Sequence, residues 1–180
     1  VTEGRLARRS LLLGLVLAVA CAQPPSDELA LAESRVERAR QVDANLYSPE
    51  SIASAEAALQ QAQEELRRRK NYRGALRAAA RAVRDADDAF REASVARAID
   101  QRRAERLVRE TESLLEMASW RGGSAAEPEL AALRHRAAEV TRLFEDGVLV
   151  EAIAAGEALK PELIELERRF RNAEPPRSSR

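Results

Sequence analysis

One histidine, His135, and one cysteine, Cys21, stand in a chain of 180 residues. They cannot build a His-based metal cluster or a Cys/His nucleophile pair, because a zinc-type site takes three or four such ligands and an activated thiol needs a base beside it. His135, flanked by Arg134 and Arg136, is expected to be a solvated surface residue. The tightest carboxylate group is Asp85, Asp87 and Asp88. Arg81, Arg84 and Arg91 each stand four residues from one of them. That spacing predicts the ion pairs Arg81/Asp85, Arg84/Asp88 and Asp87/Arg91 on a helix surface, each worth about 0.2–0.5 kcal/mol, and not a metal or acid–base site. No Gly-rich phosphate loop is present, since Gly122-Gly123 stands alone. The expectation is a non-enzymatic protein with no catalytic residue, cofactor, metal or small-molecule substrate.

Cations and one aromatic remain as candidates for contact with something else. Arg67, Arg68, Arg69 and Lys70 could hold an anionic ligand, or could simply sit where the negative end of a helix favours cations. Arg102, Arg106 and Arg109 share one helix face and could meet phosphate, lipid headgroups or a partner, although Glu105, Glu110 and Glu112 dilute them. Trp120 is either a partner anchor or a lid packed over helix ends. With 30 basic and 30 acidic residues the chain lacks the charge excess that nucleic-acid binding usually needs, so no nucleic acid is expected.

Cys21 is placed by what precedes it. Arg5, Arg8 and Arg9 lead into the ten-residue apolar run 11–20, too short to cross a bilayer as a helix and typical of an export signal. Leu17-Ala18-Val19-Ala20-Cys21 resembles the bacterial lipobox, with Ala18 where Leu is commoner. A lipidated Cys21 would become the first residue of the mature protein. The competing reading is ordinary cleavage after Ala22, which leaves Gln23 first. Ala22 in place of Asp resembles the sorting pattern for the outer membrane. Arg8-Arg9-Ser10-Leu11-Leu12 partly resembles a twin-arginine signal, but the Leu-rich core favours the general secretory route. Without residues 1–20 the chain holds 29 acidic and 27 basic groups, a net charge of −2.

The rest of the sequence is helix-forming. It has 36 Ala and 28 Arg against seven Gly and seven Pro, and Ala, Leu, Glu and Arg are strong helix formers. Stripes at steps of three and four predict an all-α fold of elongated helical hairpins or a bundle with coiled-coil-like packing, about five helices after the signal. The first, capped by Ser26, carries Leu29, Ala32, Val36, Ala39 and Val42. The second starts with Ser48 as N-cap and Pro49 at its first position, carries Ile52, Ala55, Leu59, Ala62 and Leu66, and ends at a turn marked by Asn71. The third begins near Tyr72 and weakens at 97–101. It either kinks near Asp100 or runs unbroken to Ser119, about 70 Å at 1.5 Å per residue. A fourth starts at Pro128 and a fifth follows Asp146-Gly147, with a kink expected at Pro161.

A weak repeat at an offset of 77 residues aligns Leu66, Lys70, Asn71, Tyr72, Ala75 and Leu76 with Leu143, Gly147, Val148, Leu149, Ala152 and Ile153. The expected organisation is a signal at 1–20, a tether at 21–25, a hairpin unit at 26–119, a hinge loop at 120–127, a second hairpin at 128–170 and a disordered tail at 171–180. Within 29–99, Ala32-Glu33-Ser34, Tyr47-Ser48-Pro49-Glu50 and Asn71-Tyr72-x-x-Ala75-Leu76-x-Ala78-Ala79 make the chain similar to the domain-of-unknown-function 4398 family. The resemblance implies a bacterial envelope lipoprotein of helical fold with no assigned activity. It also departs from members that carry an OmpA-like peptidoglycan-binding domain, for no such domain follows Phe170. The combined expectation is a lipid-anchored periplasmic protein of the outer membrane, a spacer or docking module whose partners are membrane lipid through acylated Cys21 and envelope proteins or a second copy of itself. The alternatives are a soluble periplasmic peptide-binding or chaperone-like module and an amphipathic lipid-surface binder.

Overall fold

The computed structural model describes residues 25–123 and 127–173, and no strand occurs among them. The elements are α1 (Ser26–Arg40), α2 (Ala44–Tyr47), α3 (Pro49–Arg67), α4 (Tyr72–Gly122), α5 (Glu127–Glu145) and α6 (Leu149–Ala173). The all-α expectation holds, with the single turn α2 added to the five helices expected. Residues 1–24, including Cys21, and 174–180 lie outside the described residues.

Local chemistry accounts for most of the boundaries. Asp27 and Glu28 occupy the first turn of α1 and Arg38 and Arg40 its last, complementing the helix dipole at both ends. Ser26 is the first helical residue and not the cap; Pro25 holds that position. Ser48 and Pro49 start α3 as the sequence implies. The question of a kink near Asp100 resolves in favour of continuity, because α4 is a single helix of 51 residues. No Gly or Pro lies between Ala75 and Arg121 to interrupt it.

Two expected boundaries move. Residues 120–122 and 127, foreseen as loop, are helical: Trp120, Arg121 and Gly122 complete the last turn of α4 and Glu127 begins α5. Ala118 is buried with Leu130 and Leu166, and Arg121 pairs with Glu167, so tertiary contacts hold that turn until Gly123 leaves the helix at φ +51°. Residues 171–173, foreseen as the start of the tail, are helical: Phe170 packs on the same cluster and Arg171 binds Glu167 at 3.1 Å, carrying α6 to Ala173.

The chain divides into two compact units. One runs to Gln41 and resumes over Ser48–Phe90, and the other comprises Val42–Tyr47 and the chain from Arg91 on. The division therefore falls inside α4 and not at Trp120. In the first unit α1, α3 and residues 72–90 bury a core made largely of alanine: Ala32, Ala58, Ala62, Ala78, Ala79 and Ala82, with Leu29, Leu59, Leu66 and Val83 around them. In the second, residues 91–122 of α4 pack with α5 and α6 around Leu107, Val108, Leu130, Val140, Leu159, Leu163 and Leu166.

The two units repeat one plan. Helices α3 and α5 each have 19 residues and are related by an offset of 78, which superposes Ile52, Ala55, Leu59, Ala62 and Leu66 on Leu130, Leu133, Ala137, Val140 and Phe144. After the turn the offset is 77, and Ala75, Ala79, Ala82, Ala86, Ala89 and Ala93 fall on Ala152, Gly156, Leu159, Leu163, Leu166 and Phe170. The leading helix joins the repeat at an offset of 79. Leu29, Ala32, Val36 and Ala39 correspond to Val108, Thr111, Leu115 and Ala118, of which all but the half-buried Leu115 are buried. Each unit is thus a leading helix followed by a hairpin, and α4 is the hairpin's second arm in one unit and the leading helix of the next.

The turns match in detail. Val148 N–H donates to the Leu143 carbonyl at 2.9 Å and Gly147 N–H to the Phe144 carbonyl at 3.0 Å, the paired bonds of a Schellman cap, with Gly147 at φ +77°. In the first unit Lys70 takes the same left-handed role at φ +48°, and Asn71 N–H donates to the Glu65 carbonyl at 3.0 Å. That turn holds one more residue, which is the step from offset 78 to 77. Asn71 also caps α4, its side-chain oxygen accepting from Gly74 N–H at 3.1 Å while its amide donates to Glu65 at 2.8 Å.

Gly156 marks a close approach in the second unit, where a Cβ would lie 3.1 Å from Leu107 Cβ and 3.5 Å from Val140 Cγ1. Gly156→Val should lower stability by about 1–3 kcal/mol in urea denaturation. Ala154→Val, at an exposed position of the same helix, should cost well under 1 kcal/mol.

Candidate interaction surface

The second unit presents one face of α4 to solvent. Successive residues of a helix turn by 100°, so Val95, Ile99, Arg102, Arg106, Arg109, Ser113, Met117 and Trp120 form a single stripe. All eight are exposed. Its two ends are apolar, with Val95 at 62% and Ile99 at 60% relative exposure, and Met117 at 40% and Trp120 at 72%. Its centre is the arginine trio that the sequence singles out. Arg109 bonds Glu105 at 3.1 Å within the helix, whereas Arg102 and Arg106 have no ion pair among the described residues. Arginines just off the stripe are engaged: Arg103 with Glu157 on α6, and Arg97 with Asp43 at 3.1 Å.

Two open grooves border the stripe and share Met117 as their common wall. One lies toward α5, lined by Leu115, Glu116, Trp120 and Arg134. The other lies toward α6, lined by Arg106, Arg109, Leu114 and Ile164. Lys160, held by Glu110 at 2.6 Å, stands at its edge. The expectation that Trp120 lids the helix ends is not met, since its indole projects into solvent. Exposed indole, methionine and isoleucine beside unpaired guanidinium groups is the composition of a contact surface, in which aromatic and Arg side chains contribute most of the binding energy.

The stripe is stiffened from behind and at its N-terminal shoulder. Ala104, Leu107, Val108 and Thr111 are buried on the opposite face, and the Thr111 hydroxyl donates to the Leu107 and Val108 carbonyls at 2.9 and 2.8 Å. At the shoulder, Tyr47 of α2 is bonded to Asp100. Burial first, and then the Asp100 carboxylate, hold the Tyr47 phenol above its ordinary value.

The other candidates resolve into structure. His135 is exposed on α5. Asp85 accepts from Ser54 Oγ at 2.7 Å and Arg81 at 3.4 Å, the latter the expected i,i+4 pair. Asp87 accepts from Arg35 on α1 at 3.2 Å, a contact between helices that spacing within α4 does not reveal. These carboxylates join α1 and α3 to α4. No group of three or more His, Cys, Asp or Glu placed to hold a metal occurs among the described residues, and no described helix is long and apolar enough to cross a membrane. Sequence reasoning located Trp120 and the three arginines but missed Val95, Ile99 and Met117. The signal that would have found them is their common phase with the arginines along an unbroken helix.

Compared with protein-family models, with curated proteins and with solved structures, the chain has no match.

Trp120 is the sole tryptophan, so fluorescence reads this face alone: iodide should quench it nearly as fully as a free indole, and bound partner should protect it. For Tyr47 the folded value lies above the unfolded one, so its contribution to stability is complete below the ordinary phenol value of about 10 and is lost as pH rises through the folded value. Asp100→Asn should move the Tyr47 ionisation down, measured by tyrosinate absorbance in a Tyr72→Phe background where Tyr47 is the only phenol.

Proposed function

We propose that the chain is a non-enzymatic helical docking module of the bacterial envelope, tethered by an acylated Cys21 to the periplasmic face of the outer membrane and offering the α4 stripe to an envelope protein. The carrying observation is the stripe itself: an exposed helix face 26 residues long, apolar at its ends and cationic at its centre, in a unit whose other large apolar side chains are mostly buried or half-buried. The tether rests on the lipobox-like residues ending at Cys21 and on the resemblance to the domain-of-unknown-function 4398 family. An apolar anchor at each end of a face about 37 Å long fixes the register of a helical partner, and the central guanidinium groups select for acidic residues between its own apolar anchors.

Two measurements test the two parts. The intact mass of the mature N-terminal peptide from a membrane fraction of the native host should show Cys21 carrying acyl chains; an unmodified start at Gln23 would replace the tethered module with a soluble periplasmic one. A photo-crosslinking residue at position 120 or 117 should give a discrete adduct in intact cells that the same residue at 135 does not, and equal labelling from all three would remove the stripe as a docking face.

A further inference from the structure

The α3–α4 turn of the first unit concentrates cations to a degree that its own fold does not require. Arg67, Arg68, Arg69, Lys70, Arg73 and Arg77 are all exposed within eleven residues. Arg69 is held by the largely buried Glu65 at 2.8 Å, and the other five have no ion pair among the described residues. The attraction of cations to a helix C-terminus would be a sufficient reason for them. The second unit removes that reason. Its equivalent turn, with the same left-handed residue and the same long-range backbone bond, carries Glu145 and Asp146 in place of Arg67 and Arg68, and Val150 and Ala154 in place of Arg73 and Arg77. A turn of this design closes with acidic residues, so the positive tip of the first unit needs another cause.

Its position supplies one. Helices α1 and α3 are antiparallel, with Glu33 bonded to Gln63 at 2.9 Å and Arg40 to Glu56 at 2.7 Å. Both pairs lie on the same register line, which places Ser26 level with Lys70. Glu28 and Leu31 of α1 line one groove with Leu76 and Arg77 of α4, closing the same end from the other side. The start of α1 is therefore at the cationic tip. Five peptide steps join Cys21 to Ser26, at most about 17 Å of extended chain. We propose that the α3–α4 tip of the first unit, through Arg67, Arg68, Lys70, Arg73 and Arg77, seats on the anionic headgroups of the membrane that holds the Cys21 lipid. The inference takes the tether from the function proposed above. Asp27, Glu28 and Glu64 lie at the same end and temper the charge, so the seat adds to an anchor and does not replace one; a single lipid chain with a basic patch is the general form of a two-signal attachment. The exposed Leu31 and Leu76 beside the groove give the tip an apolar edge at headgroup depth.

The test uses the full chain carrying Cys21→Ser, so that no acyl group contributes, in flotation with vesicles of phosphatidylglycerol and phosphatidylethanolamine at low salt. The protein should float with these, release as salt is raised, and stay down with phosphatidylcholine alone. Arg67→Gln/Arg68→Gln/Arg73→Gln should weaken binding about tenfold or more with helicity and melting unchanged, because Gln keeps helix propensity and none of the three is paired. Arg102→Gln/Arg106→Gln/Arg109→Gln should bind as before. Equal loss in both triple variants, binding to neutral vesicles, no binding at all, or complete competition by inorganic phosphate at the vesicles' lipid-phosphate concentration would each overturn the proposal. These outcomes are independent of the N-terminal mass: an acylated Cys21 with an indifferent tip fails the seat alone, and a binding tip with an unmodified N-terminus fails the tether alone.

Discussion

Everything in this molecule depends on how closely its helices approach, and that is set by whether the buried stripe is built from one-carbon or four-carbon side chains. In the first unit Ala32, Ala58, Ala62, Ala78, Ala79 and Ala82 bring backbones together but remove little apolar area each. Register there falls to polar contacts between neighbouring helices. Arg35–Asp87, Ser54–Asp85, Gln63–Glu33 and Arg40–Glu56 span the stripe on its two sides. Exposed pairs of this kind contribute at most about 1 kcal/mol apiece, so they choose among registers more than they supply stability. The Glu56 carboxylate raises the Arg40 guanidinium above its ordinary value, the direction expected of a pair that is made. The second unit keeps the same plan but places larger side chains at several corresponding positions, Val140 for Ala62 and Leu159, Leu163 and Leu166 for Ala82, Ala86 and Ala89, and it too is tied at its edges, by Lys160–Glu110, Arg136–Glu162 and Arg169–Glu129.

The two units also differ in which surfaces are free to act. In the first unit most of the α1, α3 and α4 flanks are committed to holding helices in register, and the uncommitted charge gathers at the turn. In the second the inter-helix ion pairs, among them Arg103–Glu157 and Lys160–Glu110, flank α4 and leave one of its faces with unpaired guanidinium groups and exposed apolar side chains.

Much of the fold was legible in the sequence, for particular reasons. The stripe of Ile52, Ala55, Leu59, Ala62 and Leu66 and the start at Ser48-Pro49 define α3 almost to the residue, since periodicity and cap chemistry are local. The repeat was legible only in part. Its offset changes from 79 to 78 to 77 as each connection of the first unit gains a residue on its counterpart, so comparison at one fixed spacing catches the turns and misses the leading helices. The continuity of α4 was hidden because two positions of its buried stripe are taken by Arg97 and Asp100, which bond Asp43 and Tyr47. A weakening pattern reads the same whether a helix breaks or merely carries polar residues on its inner face. The candidate surface was half legible: Trp120 and the arginines declare themselves by type, whereas Val95, Ile99 and Met117 look like core residues until the opposite face is seen to be the buried one.

The two interiors have opposite mutational tolerances. Where the wall is alanine, each position is an upper limit on size: adding a methylene must push a helix outward, while removing a methyl leaves almost no void. Where the wall is leucine, the limit runs the other way, and truncation opens a cavity that the surrounding side chains cannot close. A chain of this design would therefore accumulate different neutral changes in its two copies of the same plan, growth being purged from one and shrinkage from the other. Gly156, like Ala118 and Ala152, is a place where the second copy kept the rule of the first.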